Sequence, residues 1–280
     1  MMTGFTTIDH TQAQQLLEAG TAIVIDVRTP GEYAELGHIP GAWLLPVDLM
    51  ASAPAILPDD RAEVLVYCEH GVRSRAASEL LAAAGIDRVL NLAGGLAGWR
   101  GPREFGAGVL RGPSPWLIKN ADLLPRGGRV LDVACGRGRH ALLLAGAGFD
   151  VRAIDRNPDA IAFVRDTAAR LGWAINAEVV DLETDPPPAI ATEFDAVLVF
   201  NYLHRPLAPA LRDALKPGGR IFYETFTIHQ AERGHPTSPA FLLKDGELAE
   251  LMAPCTILRS REGDFDGRFV ASIVAEPLVS

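Results

Sequence analysis

Short runs of apolar, largely β-branched residues alternate along this chain with longer Ala- and Leu-rich stretches of helical period. The short runs are continuously apolar, as strands covered on both faces are. Four of them, at 22–27, 42–46, 64–68 and 88–92, fall in the first hundred residues, with helices expected over 11–20 and 74–85. Five more, at 129–134, 150–155, 177–182, 195–200 and 219–226, are interleaved with helical stretches at 139–147, 158–171 and 205–215. This alternation predicts βαβ units, and hence two α/β domains built on parallel sheets. Toward the end the pattern changes. A helix near 240–252 precedes two segments that meet at Asp266-Gly267, which predicts an antiparallel hairpin. Between Gly101 and Pro115 the sequence GPREFGAGVLRGPSP is rich in Gly and Pro and has no period, a linker composition. Domains over 1–101 and 116–280 are therefore expected on either side of a linker at 102–115.

A length of 280 residues suits two domains. With 48% hydrophobic and 22% charged residues the balance is globular and excludes a mainly disordered chain. No apolar run approaches the roughly 18 residues of a membrane span, and the start MMTGFTTIDH has no basic or apolar leader region, so a soluble, cytoplasmic protein is expected. The net charge is −9; residues 1–105 carry 7 Arg and no Lys against 13 acids, and the rest carry 19 basic and 22 acidic residues. Neither half is basic, which disfavours nucleic acid as a partner. Three cysteines, Cys68, Cys135 and Cys255, offer no disulfide framework, so each thiol needs its own explanation.

Cys68 ends a buried strand and is followed by the short loop EHGVR and a helix start. A thiol there meets loop amides and the positive end of a helix, both of which favour the thiolate. Gly71 lets the loop turn its N–H groups inward, and Arg73 supplies a cation that could pair with an anionic sulfur donor. The segment Cys-x-x-Gly-x-Arg-Ser from Cys68 to Ser74 resembles the active-site loop of rhodanese sulfurtransferases. So do IDVRTPGEY (25–33), GHIPGAW (37–43) and NLAGGLAGW (91–99), in that order, and the likeness covers residues 5–101. It implies a rhodanese-type parallel sheet flanked by helices. It also implies a Cys68 that attacks a sulfane sulfur and carries it as a persulfide held by loop amides. The loop has the six-residue length of the sulfur-transferring members, and Glu69, His70, Gly71 and Val72 would border the donor. Asp26 and Arg28 read as structural ion pairs behind the loop, and His38 and Pro40 as a structural turn.

In the second half, RVLDVACGRGRHALLLAGAGFDVRAID is a strand, a glycine turn, a helix and a second strand ending in Asp155. Gly136-x-Gly138-x-x-Ala141, with Asp155 placed 19 residues after Gly136, fits any nucleotide fold of this kind, and alone it does not separate NAD from S-adenosylmethionine. Asp132 does separate them, because a carboxylate there could face an ammonium group but would repel a pyrophosphate. Asp181, at the end of the third strand, can reach an adenine amino group. Residues 110–280, including KPGGRIF (216–222), resemble class I S-adenosylmethionine-dependent methyltransferases, most closely the small-molecule and tellurite-resistance types. The resemblance implies a Rossmann-like seven-strand sheet whose last strand is antiparallel. It places Asp132, Ala134, Gly136 and Gly138 at the methionine part, Asp155 with Arg156 at the ribose, Asp181 and Leu182 at the adenine, and Asn201 at the pocket edge. Cys135 would lend its backbone, and Cys255 reads as core.

The acceptor should enter past NYLHRP (201–206) and YETF (223–226). His204 is the candidate general base, with Tyr202, Arg205 and Glu224 lining the opening. The polar stretch TIHQAERGHPTSPA (227–240) suggests a lid; its His229 and His235 lack the partners of a zinc motif, and no metal is expected. The whole reads as a transferase with two activities: sulfur transfer through Cys68, and methyl transfer from S-adenosylmethionine to a small thiol or chalcogen acceptor. Its partners would be a small-molecule sulfur donor, a methyl acceptor and a sulfur-carrier protein. Two alternatives stay open, a rhodanese sensor that docks a carrier and regulates the methyltransferase, and an enzyme that thiolates and methylates tRNA.

Overall fold

The computed structural model describes residues 4–20, 22–57, 63–106 and 112–278. The chain forms two compact units, one of residues 1–122, 137–148 and 164–174, the other of residues 123–136, 149–163 and 175–280.

The first unit holds a five-stranded sheet of β1 (Thr6–Ile8), β2 (Ala22–Asp26), β3 (Trp43–Leu44), β4 (Glu63–Tyr67) and β5 (Val89–Leu92). Their order is β1-β5-β4-β2-β3 and every pairing is parallel. Helices α1 (His10–Ala19), α2 (Pro30–Glu35) and α3 (Val72–Ala83) connect the strands. Three elements go beyond the pattern reading: β1, α2 and the short α4 (Pro115–Lys119). Helix α2 starts with a reciprocal cap, in which Thr29 accepts from the Glu32 amide and Glu32 accepts from the Thr29 amide, with Pro30 in the first turn. The core of this sheet joins Leu65, Tyr67, Leu92, Leu96 and Trp99. Of the expected linker, residues 107–111 lie outside the described residues. Residues just before them are tied to the first sheet's loops, because Glu104 and His38 exchange backbone hydrogen bonds of 2.8 and 2.9 Å.

The second sheet has seven strands: β6 (Arg129–Val133), β7 (Asp150–Asp155), β8 (Asn176–Val179), β9 (Phe194–Phe200), β10 (Leu215–Phe226), β11 (Thr256–Phe265) and β12 (Arg268–Glu276). The order is β11-β12-β10-β9-β6-β7-β8, and β12 runs antiparallel to both neighbours while the other pairs are parallel. Asp266 and Gly267, both at positive φ (55° and 75°), turn β11 into β12 as the hairpin pattern predicts. The remaining helices are α5 (Ala141–Gly146), α6 (Pro158–Leu171), α7 (Ala208–Asp213) and α8 (Glu247–Leu251). Val133, Val197, Val199, Ile221 and Ile273 carry the core. Cys255 is half-buried against it. Parallel order puts the carboxyl ends of β6, β7, β8, β9 and β10 on one edge, where such sheets bind ligands. Among the described residues no helix is long and apolar enough to cross a membrane.

Candidate functional sites

The first site is the turn from β4 to α3. Cys68 follows the last residue of β4, is 2% exposed, and its Sγ accepts a hydrogen bond from the Gly71 amide at 3.1 Å. Burial pushes this thiol up. Hydrogen bonds from the Ser74 hydroxyl and the Ser74, His70 and Gly71 amides outweigh burial and hold it below the ordinary thiol value. The Ser74 hydroxyl is wholly buried beside the sulfur. We expect Cys68 alkylation to rise with pH and level off below the pH at which a free cysteine does, and Ser74→Ala to move that midpoint upward. An iodoacetamide rate profile checks both statements.

Two further contacts fix the loop. The Leu96 and Ala97 amides donate to the Cys68 and Glu69 carbonyls at 2.8 and 2.9 Å, which gives the segment 91–99 its role. Gly95 sits at φ 63°, and a Cβ on it would lie 2.4 Å from the Cys68 carbonyl oxygen. We expect Gly95→Ala to cost about 3 kcal/mol from overpacking and backbone strain together. An unchanged melting temperature would contradict this. Behind the loop, Arg28 is fully buried and pairs with Asp26 at 2.7 Å, with Glu69 at 2.7 Å, and with the Gly37 carbonyl at 2.6 Å. Arg73 does not stand free. Its guanidinium grips both Glu32 oxygens at 2.8 and 2.5 Å, and that pairing holds the Glu32 carboxyl down to about 2. His70 and Val72 are exposed at the loop's outer face.

The second site is a cavity of about 650 Å³ at the carboxyl edge of the second sheet. Its walls bring together Ala134 after β6, Asp155 at the end of β7 with Arg156 just beyond it, Leu182, and Asn201 with Tyr202 after β9. Both Asp155 oxygens are held by backbone, from the Gly136 amide at 2.7 Å and the Asn157 amide at 2.8 Å. That fixes the carboxylate against the cavity. Gly136 has φ 55° and open space where a Cβ would be, so a ligand can approach its backbone. Gly138 answers a different need: a Cβ there would sit 2.7 Å from Val164 Cγ2, which makes it a packing glycine, and neither glycine is part of the cavity wall. Leu182, Leu203, Val180, Phe226 and Phe241 give the cavity apolar faces, and the Tyr202 hydroxyl is buried there with no hydrogen-bond partner among the described residues. An apolar slot with a fixed carboxylate and a spare phenol fits the base, ribose and polar tail of an adenosyl cofactor.

Several expected residues lie elsewhere. Asp132 is 1% exposed within β6 and is not part of the wall. Asp181 is exposed and accepts from the Glu183 amide at 3.0 Å, while Glu183 itself faces the cavity and pairs with Arg156 at 2.9 Å. His204 is not in the wall; its Nε2 is buried with no hydrogen-bond partner among the described residues. Arg205 is spent on structure, pairing with Glu247 at 2.5 and 2.9 Å and donating to the Leu242 carbonyl at 2.8 Å. Glu224 is fully buried, and register explains why: Ser272 faces it across β10–β12, and Arg261 faces Ser272 across β11–β12. All three meet at Glu224 Oε2, at 2.8 Å from each partner.

The histidine that does reach the cavity is His235, with Pro236, Thr237 and Ser238. It comes from the expected lid, whose start and end are held down by Ile228 and Leu243 through backbone hydrogen bonds of 2.8 and 2.9 Å to Leu243 and Phe226 carbonyls. Beside the cavity, burial first and then Asp132 and Asp155 push the Cys135 thiol far up, and burial raises Cys255. Among the described residues, no group of three or more His, Cys, Asp or Glu is arranged to hold a metal.

Comparison with known proteins places both regions. The rhodanese-like domain family matches residues 9–102 and the methyltransferase domain family residues 130–219. A sulfurtransferase of Allochromatium vinosum is 40% identical over 87 residues, covering 31% of this chain and 79% of that one. Hemagglutinin 1 of Eikenella corrodens is 31% identical over 143 residues, covering 48% of this chain but only 46% of that protein. Among solved structures, TehB from Haemophilus influenzae superposes with a TM-score of 0.50 at 21% identity, over 59% of this chain and 62% of that one, a likeness of fold. The expected class of cofactor, S-adenosylmethionine, stands with the methyltransferase domain. The chain belongs to the rhodanese-like family through residues 9–102, and joins that transferase domain to a region, residues 130–219, that matches the methyltransferase domain family.

Proposed function

We propose that the chain loads sulfur on Cys68 and separately transfers methyl groups to a small, soft acceptor such as a thiol, sulfide or heavier chalcogen species. The observation that carries this reading is the contrast among the three thiols. Cys68 is held toward its thiolate by a ring of amides, whereas Cys135 and Cys255 are pushed the other way. The Cys68 thiolate attacks the outer sulfur of the donor, the donor's S–S bond breaks, and its remaining sulfur leaves as a thiolate. Loop amides then hold the new terminal sulfur.

In the second domain S-adenosylmethionine supplies, when bound, a methyl group on a sulfonium. Asp155 would accept hydrogen bonds from its ribose hydroxyls, and Leu182 and Leu203 would flank its base. Tyr202 would offer its hydroxyl to a polar atom of the cofactor, and the His235 imidazole, which stands at the cavity, would take the proton from an acceptor thiol. Proximity supplies much of the remaining rate. The test is a screen of thiols, sulfide, selenite and tellurite with radiolabelled S-adenosylmethionine, run with peptide mapping of added sulfur. The reading expects label on a small acceptor and one added sulfur on Cys68. Sulfur on Cys135 or Cys255, or no labelled product from any acceptor, would contradict it.

A further inference from the structure

Behind the cavity wall, one buried amide side chain ties the lid to the second sheet. Gln230 is 7% exposed, and both ends of its amide are engaged. Its Oε1 accepts from the Phe269 amide of β12 at 2.9 Å, and its Nε2 donates to the His235 carbonyl at 3.2 Å. A backbone N–H can only donate and a carbonyl can only accept, so these two partners fix which way the Gln230 amide points. The Gln230 backbone carbonyl accepts in turn from the Arg233 and Gly234 amides at 2.9 and 3.1 Å. One residue thus grips the Gly234–His235 dipeptide at both ends, at the Gly234 N–H and at the His235 carbonyl. Gly234 makes that grip possible, because its φ of 150° is one that side-chain-bearing residues rarely adopt. The sheet side of the joint is equally well held. The Thr227 amide donates to the Phe269 carbonyl at 3.0 Å, which carries the β10–β12 pairing one step past Phe226 and Val270. Arg233 lies 4.6 Å over the Phe269 ring and pairs with Asp264 at 2.7 Å.

Resting on the reading of His235 as the base for an acceptor thiol, we infer that Gln230 is a positioning residue, which sets where the His235 imidazole stands at the cavity. Gln230 is not in the wall, whereas His235, Pro236, Thr237 and Ser238 are. Its two side-chain hydrogen bonds refer the His235 main chain to β12, and so to the same sheet whose strand ends place Asp155 and Asn201. Without that link the imidazole would hang from a polar segment with no regular structure of its own. The distance matters for chemistry. A base must stand within hydrogen-bond reach of the proton it takes, and a misplacement of about 1 Å can cost on the order of a hundredfold in rate.

The test uses the full chain with 2-mercaptoethanol as acceptor, and compares Gln230→Met, Gln230→Glu, His235→Gln and the two double variants. Methionine removes both side-chain hydrogen bonds at similar size. Glutamate still accepts from the Phe269 amide and has no donor for the His235 carbonyl, so it isolates that one contact. Each Gln230 variant is expected to lower kcat roughly tenfold while S-adenosylhomocysteine affinity stays within about twofold of the parent's. In the His235→Gln background the same substitutions are expected to add no further loss, because a residue that acts only through the imidazole has nothing left to position. A second readout needs neither cofactor nor turnover. The His235 ring-proton resonance, identified by its disappearance in His235→Gln, is expected to shift in both Gln230 variants. Parent-like kcat or an unmoved His235 resonance in both variants, equal fractional losses with and without the imidazole, or lost S-adenosylhomocysteine binding would overturn the inference and leave the base reading standing. Parent-like kcat in His235→Gln would overturn that reading, and this inference with it.

Discussion

Cys68→Ser is expected to abolish sulfur transfer, lowering the rate by a factor on the order of a thousand or more, as removal of a nucleophile does elsewhere. Serine is nearly isosteric and its hydroxyl still accepts from the Gly71 amide, so the loop keeps its shape and the melting temperature stays close to the parent's. What is lost is a polarisable thiolate, which a hydroxyl cannot replace near neutral pH. The other thiols give no bypass, because burial and nearby carboxylates keep Cys135 protonated and burial raises Cys255. Thiocyanate release with cyanide as acceptor measures the loss. A variant that retained a tenth of the parent rate would remove Cys68 from the mechanism.

Asp155→Ala is expected to weaken S-adenosylhomocysteine binding at least tenfold, and His204→Ala to leave it unchanged. Hydrogen bonds to a charged group are worth roughly 1.5–3 kcal/mol each, and about 1.4 kcal/mol is tenfold in affinity. The Asp155 carboxylate is held in place by the Gly136 and Asn157 amides, so its free lone pairs are aimed before any ligand arrives. His204 has no place in the cavity wall. Calorimetry separates the two variants. Equal affinity in Asp155→Ala, or comparable binding of NAD by the parent, would contradict the cofactor assignment.

Both sheets were legible in the sequence because parallel strands covered on two faces leave unbroken apolar runs. The hairpin was legible because Asp-Gly supplies two residues that tolerate positive φ. Strand β1 escaped because Thr6–Ile8 is too short to show a period. Helix α2 escaped although its signal was present, in Thr29, Pro30 and Glu32 at cap spacing. Motif residues tied to a strand end, such as Ala134 and Asp155, line the cavity, since the end of a strand fixes where its last side chain goes. Residues one or more steps past a strand end were harder to place. His204 and Arg205 follow β9 into a short helical turn, and His235 reaches the cavity along a segment with no period at all. Pairings distant in sequence were invisible as well. Nothing near Arg73 announces that Glu32, 41 positions earlier, takes up its charge.

The central claim, a sulfur-carrying thiol and an adenosyl pocket in one chain, is tested most directly by native mass spectrometry of the full protein incubated with cysteamine persulfide and S-adenosylhomocysteine. The account predicts a species that carries one covalently added sulfur, mapped to Cys68, together with one bound S-adenosylhomocysteine. A spectrum in which the chain gains no sulfur at Cys68, or binds no S-adenosylhomocysteine, would contradict it.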